Sequence, residues 1–318
     1  MRRYLLRRVL QIFPVILLAV VLNFLLINFA PGDPAVILAG EYAPDEYIAQ
    51  LHVAYGLDKP MLERLGLYVW QLLHGDLGYS FAYRRPVLEL LLERAQNTLL
   101  LVAGSQGFSI VIGTWLGALA ARYHSRWQDN TITYGTLALY CLPVFWTGLM
   151  LILVFAVRLQ WLPSSGMTDF MAFDRPRWLD LLYHMVLPVT CLFLYTLPTY
   201  TRLARASVLE VAKEDFVTTA RAIGFPERVV FMRYALRNAL LPTVTVAGLS
   251  LSSLLTGALL VETVFSWPGL GRLMYEAVSQ RDFPVLMGGF LFATALVIVG
   301  NFIVDILYTY LDPRVTYS

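Results

Sequence analysis

The chain has 318 residues, 58% of them hydrophobic and 14% charged, with a mean hydropathy of +0.62. That balance is too apolar for an ordinary soluble protein and reads as a polytopic membrane protein. The net charge is only +2, and no compact basic run interleaved with aromatics stands out, so nucleic acid is not a partner suggested by composition.

In chain order, Arg2, Arg3, Arg7 and Arg8 precede an apolar run from Val9 to Phe29, whose 21 residues reach about 31 Å as a helix, enough to cross the hydrocarbon core. The run is long for a signal peptide, and Ala30-Pro31-Gly32-Asp33-Pro34 follows it where a small-x-small cleavage site would stand, so it is read as an uncleaved first span. Residues 30–96 are polar, broken by Pro31, Pro34, Pro44, Pro60 and Pro86, with nine acidic and five basic residues. Pro44-Asp45-Glu46 predicts a first helical turn, followed by Tyr47, Ile48, Leu51 and Tyr55 at helical spacing. A second helix is expected over Met61–His74, stopped by Gly75, and a third after Pro86. Together they predict a small helical cap outside the membrane. His52 and His74 have no partner at metal-ligand spacing and read as surface histidines, with no metal site.

The second span, about Asn97–Ala121, carries Gly113-x-x-x-Gly117, a spacing that lets two helix backbones approach closely. A short turn, Arg122–Asn130, leads to a third span over Thr131–Val157, interrupted at Pro143, with Trp161 as an interfacial anchor. An external loop, 158–182, precedes the fourth span, Tyr183–Leu203, which contains Pro188 and Pro198. Cys141 and Cys191 fall in apolar spans and read as free thiols. In the fifth span, Ala239–Glu262, the residues Gly248, Ser252 and Thr256 share a face, with Ser253 and Gly257 beside it. Such a face needs another helix or a watery path, and both readings stay open. The external hairpin Thr263–Pro284 holds Gly269-x-Gly271, a turn and not a nucleotide fingerprint, since no strand precedes it. The sixth span, Val285–Tyr310, carries Asn301 and Asp305 one turn apart. An ionisable group in a span is a functional hypothesis by default, though Asp305 near the inner end also fits a hydrogen bond to Asn301 or a neighbouring helix.

Six spans place both termini on one side, and the short basic turn 122–130 with the basic stretch 201–238 puts that side in the cytoplasm. The fold class expected is therefore all-α integral membrane, six transmembrane helices, N-in and C-in. The expected divisions are a first span over 1–29, an extracytoplasmic helical segment over 30–96, and a five-span core over 97–318.

The stretch Thr201–Pro242 interrupts the hydrophobic C-terminal half. It holds Arg202, Arg205, Lys213, Arg221, Arg228, Arg233 and Arg237 against Glu210, Glu214, Asp215 and Glu227. Within it, residues 215–226 (Asp-Phe-Val-Thr-Thr-Ala-Arg-Ala-Ile-Gly-Phe-Pro) read as a short helix capped by Asp215, stopped by Gly224 and prevented from continuing by Pro226. Phe216, Ala220 and Ile223 share a face, with Val217 beside them, which reads as a docking element.

This stretch resembles the cytoplasmic coupling loop of ABC-importer permeases of the dipeptide/oligopeptide/nickel branch. Ala220 and Gly224 fit the general Glu-Ala-Ala-x3-Gly signature, while Thr218 and Thr219 replace Glu and the first Ala, and Gly224 stands farther from Leu241-Pro242 than the general pattern has it. Those departures are similar to the peptide-permease variant, as are Pro-Gly-Asp-Pro at 31–34, His-Gly-Asp-Leu-Gly-Tyr-Ser-Phe at 74–81 and Glu-Thr-Val-Phe-Ser-Trp-Pro-Gly-Leu-Gly-Arg at 262–272. The likeness covers essentially the whole chain.

The resemblance implies a permease that forms half of the translocation pathway, within a coupling loop set at 204–238. Its ATPase-coupling residues would be Asp215, Phe216, Val217, Thr218, Thr219, Ala220, Arg221, Ala222 and Gly224, with Phe216 and Val217 in apolar contact and Arg221 in charge contact with the ATPase. Arg237, Asn238 and Pro242 would join the loop to span five. Gly248, Ser252, Ser253, Thr256, Asn301 and Asp305 would line the pathway or a helix interface. The implied partners are a second related permease, two ATP-binding cassette subunits, an extracytoplasmic binding protein and membrane lipid. The implied setting is a bacterial or archaeal cytoplasmic membrane. The cargo implied is di- or oligopeptides, with nickel chelates, glutathione and opines as alternatives. The sequence has no Gly-x4-Gly-Lys-Ser/Thr, so ATP and Mg are expected on the partner subunits and no cofactor on this chain. No His-Glu-x-x-His or nucleophile elbow is present, so no catalytic residue is named. An ATP-independent carrier and an intramembrane enzyme using Asp305 remain the readings from other classes.

Overall fold

Proline and glycine set most of the element ends, because one removes a backbone donor and the other opens the left-handed region. The computed structural model describes residues 13–25, 29, 36, 44–54, 58–169, 176–240, 242–243, 245–247 and 258–311. The chain is mostly helical. Helix α1 is Phe13–Leu25. Helix α2, Asp45–Ala54, starts directly after Pro44 with both acids in its first turn. Pro60 precedes α3, Met61–Leu73, which ends where Gly75 turns to a φ of +75°. A two-stranded antiparallel hairpin, β1 (Tyr79–Ser80) and β2 (Arg85–Pro86), follows; it is invisible to hydrophobic periodicity at this length.

Helix α4, Val87–Arg122, is 36 residues long and begins ten residues before the expected span. The third expected span is two helices, α5 (Trp127–Cys141) and α6 (Val144–Leu151), the latter running on as a π-helical segment, Ile152–Arg158. Pro143 stands in the break, and the two halves are bent by 96°. Helix α7, Arg177–Val211, runs through Pro188 and Pro198 and extends eight residues past the expected fourth span. Then come α8 (Asp215–Ala222) and α9, a short turn Glu227–Val229 that widens into a π-helical segment, Val230–Leu236. The last elements are α10 (Leu259–Val264), α11 (Leu270–Gln280) and α12 (Phe283–Leu311).

Three described helices are long and apolar enough to cross a membrane: α4, α7 and the Phe283–Phe302 part of α12. The bent pair α5–α6 makes a fourth if it counts as one span.

The chain forms two compact units. One comprises residues 1–96 and 270–299 and the other residues 97–269 and 300–316, apart from isolated terminal residues. In the first, Val87, Leu90 and Leu91 pack with Leu270, Leu273, Ala277 and Val285. Buried Asp282 staples the hairpin to this core, accepting from the Ser80 hydroxyl at 2.6 Å and the Ala82 amide at 3.2 Å. The Tyr83 hydroxyl donates to Glu276, which also accepts from Arg272 at 2.7 Å. Burial pushes the Tyr83 phenol up, with Glu276 adding to it, to about 12. Burial works to raise Glu276 as well, yet the bonds from Tyr83 and Arg272 leave it below the usual carboxylate range.

In the second unit, the main cluster joins Leu101 of α4, Leu187, Val189, Cys191 and Leu192 of α7, and Val261, Phe265 and Trp267. Cys141 and Cys191 are both free. Gly113 and Gly117 do bring two backbones together: a Cβ at Gly113 would stand 2.7 Å from Tyr200 Cβ, and one at Gly117 would stand 2.3 Å from the Thr201 carbonyl oxygen. Helix α7 is thus the partner of the Gly-x3-Gly face.

Candidate functional site

Helix α7 continues helically into the polar stretch, so the first eight residues expected as loop are the end of a long helix. Ala204, Ser207 and Val208 remain buried there. Val208 joins Ala118 and Ala121 of α4 and Ala239 in a cluster flanked by Val211, Phe231 and Leu236. Across from it, buried Asp129 at the start of α5 receives a two-pronged ion pair from Arg205, Nε to Oδ1 at 2.6 Å and Nη2 to Oδ2 at 2.8 Å. The Ser125 amide adds a bond at 3.0 Å and the His124 ring stands at 3.3 Å. The turn between α4 and α5 therefore grips the end of α7.

After α7, the chain makes the short helix α8 at the bounds the sequence predicts at its start, but the cap differs. Glu214 occupies the N-cap position in extended backbone with no side-chain cap bond, and Asp215 is the first helical residue. Asp215 therefore acts through its charge at the positive end of the helix rather than as a cap. The C-terminus is a complete Schellman closure: Gly224 has a φ of +91°, its N–H donates to the Arg221 carbonyl at 3.0 Å, and the Phe225 N–H donates to the Ala220 carbonyl at 3.3 Å. Pro226 then starts α9.

The expected single apolar face is in fact two. Val217 and Ala220 are buried against Val230, with Val211 and Tyr234 packed around them, so α8 carries a small core of its own. Val217 is fully buried and is not available to a partner, which corrects the contact expected of it. Phe216, Ile223 and Phe225 stay partly outside, at 43%, 69% and 42% exposure, with the Phe225 ring 5.7 Å from that of Tyr234. Thr218 and Thr219 turn their hydroxyls back to the carbonyls of Glu214 and Asp215. Arg221 is half-exposed but already engaged: it donates to Glu227 at 3.1 and 3.3 Å and to the Ala212 carbonyl at 3.4 Å. Its charge ties α8 to α9 before any partner arrives. Ala222 is exposed on the same helix. Arg237 is exposed, Asn238 donates its amide to the Tyr234 carbonyl at 2.7 Å, and Pro242 is exposed and helical.

Of the expected pathway residues, Gly248, Ser252, Ser253 and Thr256 lie outside the described residues. Asn301 is half-buried on α12, and Asp305 lies one turn on along the same helix.

Two polar sites escaped the sequence reading. Glu262 is fully buried; the Thr98 hydroxyl donates to it at 2.6 Å, and a Cβ at Gly269 would stand 2.2 Å from its carboxyl group. Beside it, the Trp267 indole donates to the Asn97 carbonyl at 3.0 Å and the Asn97 amide donates to the Pro268 carbonyl at 2.8 Å. The turn at 266–269 is thus a lid folded over a buried acid, and its glycine is required by that acid. The signal was there, since an acid five residues before a Trp-Pro-Gly turn has no reason to sit in an apolar run. The second site lies mid-way along α4, where Ser109 shares a 2.6 Å bond with Thr196 of α7, and Gln106, 3% exposed, finds no hydrogen-bond partner for either amide atom among the described residues. Among the described residues, no group of three or more His, Cys, Asp or Glu is arranged to hold a metal ion.

Comparison with known proteins agrees along the whole length. Residues 113–317 match the family described as "Binding-protein-dependent transport system inner membrane component", and residues 1–102 match its N-terminal counterpart, "Binding-prot-dependent transport system membrane comp, N-term". The chain is 39% identical over 339 residues to the dipeptide transport system permease protein DppB of Escherichia coli (strain K12), covering 100% of both chains. It is 38% identical over 318 residues to a putative peptide transport system permease protein of Brucella abortus (strain 2308), and 37% identical over 322 residues to the oligopeptide transport system permease protein AppB of Bacillus subtilis (strain 168), again covering 100% of each. Among solved structures, an inward-facing form of the MetNI methionine ABC transporter matches with a TM-score of 0.57 at 19% identity, over 70% of this chain and 96% of that one. That likeness speaks to the fold alone.

Proposed function

The chain belongs to the family of binding-protein-dependent transport inner membrane components, and from that premise we propose that it is the permease half of an ATP-driven importer of di- and oligopeptides. The observation that carries the peptide class is the full-length likeness to relatives named for dipeptide and oligopeptide transport. In this reading the chain crosses the cytoplasmic membrane six times with both termini inside, as a first span over 1–29, an external segment over 30–96 and a five-span core over 97–318. It pairs with a second permease, rests on two ATP-binding cassette subunits and receives cargo from an extracytoplasmic binding protein. It carries no ATPase site of its own; ATP and Mg act on the partner subunits.

The geometry of α8 supports a mechanism. Phe216, Ile223 and Phe225 form an outward apolar patch that seats in the ATPase, while Val217 and Ala220 hold the helix to α9. When ATP draws the ATPase subunits together, the patch moves with them. The small core, the Arg221–Glu227 pair and the helix α7 carry that displacement to the Asp129–Arg205 grip and the Gly113/Gly117 crossing. Close-packed contacts of this kind transmit shifts rather than absorb them. The switch follows because the ATPase binds the two states of the permease with different energies.

The test is purification of the full chain with its co-expressed neighbours in mild detergent, followed by ATPase and peptide-uptake assays in liposomes. A second permease and two ATPases in the complex, with ATP turnover raised by peptide-loaded binding protein, is the expected result. A chain that purifies alone and moves cargo without ATP overturns the reading.

A further inference from the structure

An open apolar groove of about 430 Å³ runs along the last three turns of α4, facing the π-helical segment of α9 and the residues after it. Val111 and Trp115 form one wall and Met232, Leu236 and Leu240 the other; Val111, Trp115 and Met232 are each more than half exposed. From Ile110 to Arg122 the α4 wall is thirteen residues long, about 18 Å from end to end at 1.5 Å per residue. The hydrocarbon core is about 30 Å thick, so one leaflet is about half of that. The groove therefore has the depth of a single leaflet. At its end stands Arg122, its guanidinium 5.9 Å from the Phe231 ring and 5.8 Å from the Tyr123 ring. Among the described residues, no carboxylate lines the groove and Arg122 forms no ion pair. Arg126 follows four residues after Arg122, at the end of the turn between α4 and α5, and Arg233 and Arg237 belong to the same run as Met232 and Leu236; all three are exposed.

We infer that this groove binds one anionic phospholipid, an acyl chain between α4 and the π-helical segment and the headgroup phosphate on Arg122. An apolar slot with the length of one leaflet, closed by an unpaired cation held over aromatic faces, matches a lipid in both halves: dispersion along the chain and charge at the head. A transmembrane helix from another subunit would need a groove through both leaflets and has no use for a cation at its end. The π-helical winding matters here because it widens the turn that carries Phe231, Met232 and Leu236 and so opens the slot beside α4. The inference requires only that the chain lie in a bilayer, not that it import peptides.

The test is native mass spectrometry of the full chain, purified in mild detergent with its associated subunits and supplied with dioleoyl phosphatidylglycerol or dioleoyl phosphatidylcholine. The wild type should retain the anionic lipid with an occupancy about five-fold higher than the zwitterionic one, the factor that corresponds to about 1 kcal/mol per basic residue at a membrane surface. Arg122→Gln should bring the two lipids to parity, Arg122→Lys should keep most of the preference, and Met232→Trp, which fills the slot, should lower retention of both. Each variant is first checked for an unchanged elution profile, and Met232→Trp tests the slot even if Arg122→Gln misfolds. Equal retention of the two lipids by the wild type overturns the inference. So does an unchanged preference in folded Arg122→Gln. Retention by the isolated chain that vanishes in the assembled complex also overturns it, since another subunit then covers the groove. All of these read lipid retention and not transport, so they stand apart from the fate of the peptide reading.

Discussion

Asp129→Ala should loosen the end of α7, and its size can be worked from the contacts. The carboxylate is almost wholly buried and takes two bonds from Arg205 and one from the Ser125 amide, while the Arg205 side chain is 27% exposed. Breaking a fully buried pair costs about 3–5 kcal/mol, because the surviving charge is left without a partner. Water reaches part of Arg205, so the expected loss here is smaller, about 2–3 kcal/mol. Asp129→Asn keeps an acceptor for Ser125 and should lose about half as much. Asp129→Leu combined with Arg205→Met removes both charges and should recover most of the loss, giving a large coupling energy in a double-mutant cycle. The assay has two readouts: the midpoint of unfolding in mixed detergent micelles, and peptide taken up per ATP hydrolysed in liposomes. If the pair is a grip on α7, the single variants lose uptake per ATP while the ATPase itself keeps turning over. A loss below about 0.5 kcal/mol, or a double variant worse than either single one, would show that α7 is held by packing alone.

Four other outcomes follow from the same structure. Phe216→Asp and Ile223→Asp should weaken retention of the ATPase subunits with an unchanged unfolding midpoint, whereas Val217→Asp should lower the midpoint, since it puts a charge into the small core. Gly269→Ala should destabilise by about 1–3 kcal/mol through its clash with the Glu262 carboxyl, and Glu262→Ala should relieve part of that loss in combination, so the two effects will not add. Gln106→Leu should be neutral or stabilising, because neither amide atom has a partner to lose; a drop in the unfolding midpoint would reveal one. Tyr83 is held protonated in the fold, so its contribution is intact below its ordinary value near 10 and is lost as pH rises toward about 12. Glu276 has the opposite sign, contributing above the usual carboxylate range and losing that contribution as pH falls below it. Alkaline melting of the parent against Tyr83→Phe checks the first, since the variant should lose the step.

Punctuation was the legible part of the sequence. Pro44, Pro60, Pro86 and Pro143 mark real starts, and Gly75 and Gly224 real stops, because those residue types act on the backbone where they stand. Helix ends in water were not legible: α4 starts at Val87 and α7 runs to Val211, since hydropathy measures what tolerates lipid while helical hydrogen bonds continue beyond it. The burial of Val217 was hidden for another reason. Its partners, Val230 and Tyr234, come after a turn, and one helix read alone cannot say which of two apolar faces its neighbour takes. The same holds for Glu262, whose burial depends on Thr98 in a distant helix. The Gly113/Gly117 face was readable as an interface, but its partner on α7 was not.

The two-sidedness of α8 separates two kinds of selection. Changes at Val217 or Ala220 answer to the chain's own folding, because those side chains never leave it. Under the proposed docking, changes at Phe216 and Ile223 answer to the surface they meet, while Phe225 answers to both, because its ring also pairs with Tyr234 at 5.7 Å. If the proposed docking holds, partner choice can drift or be reassigned at Phe216 and Ile223 while the lever beneath them stays the same. Exchanging those two side chains between two such permeases should exchange the ATPase they recruit, with no retuning of the membrane part.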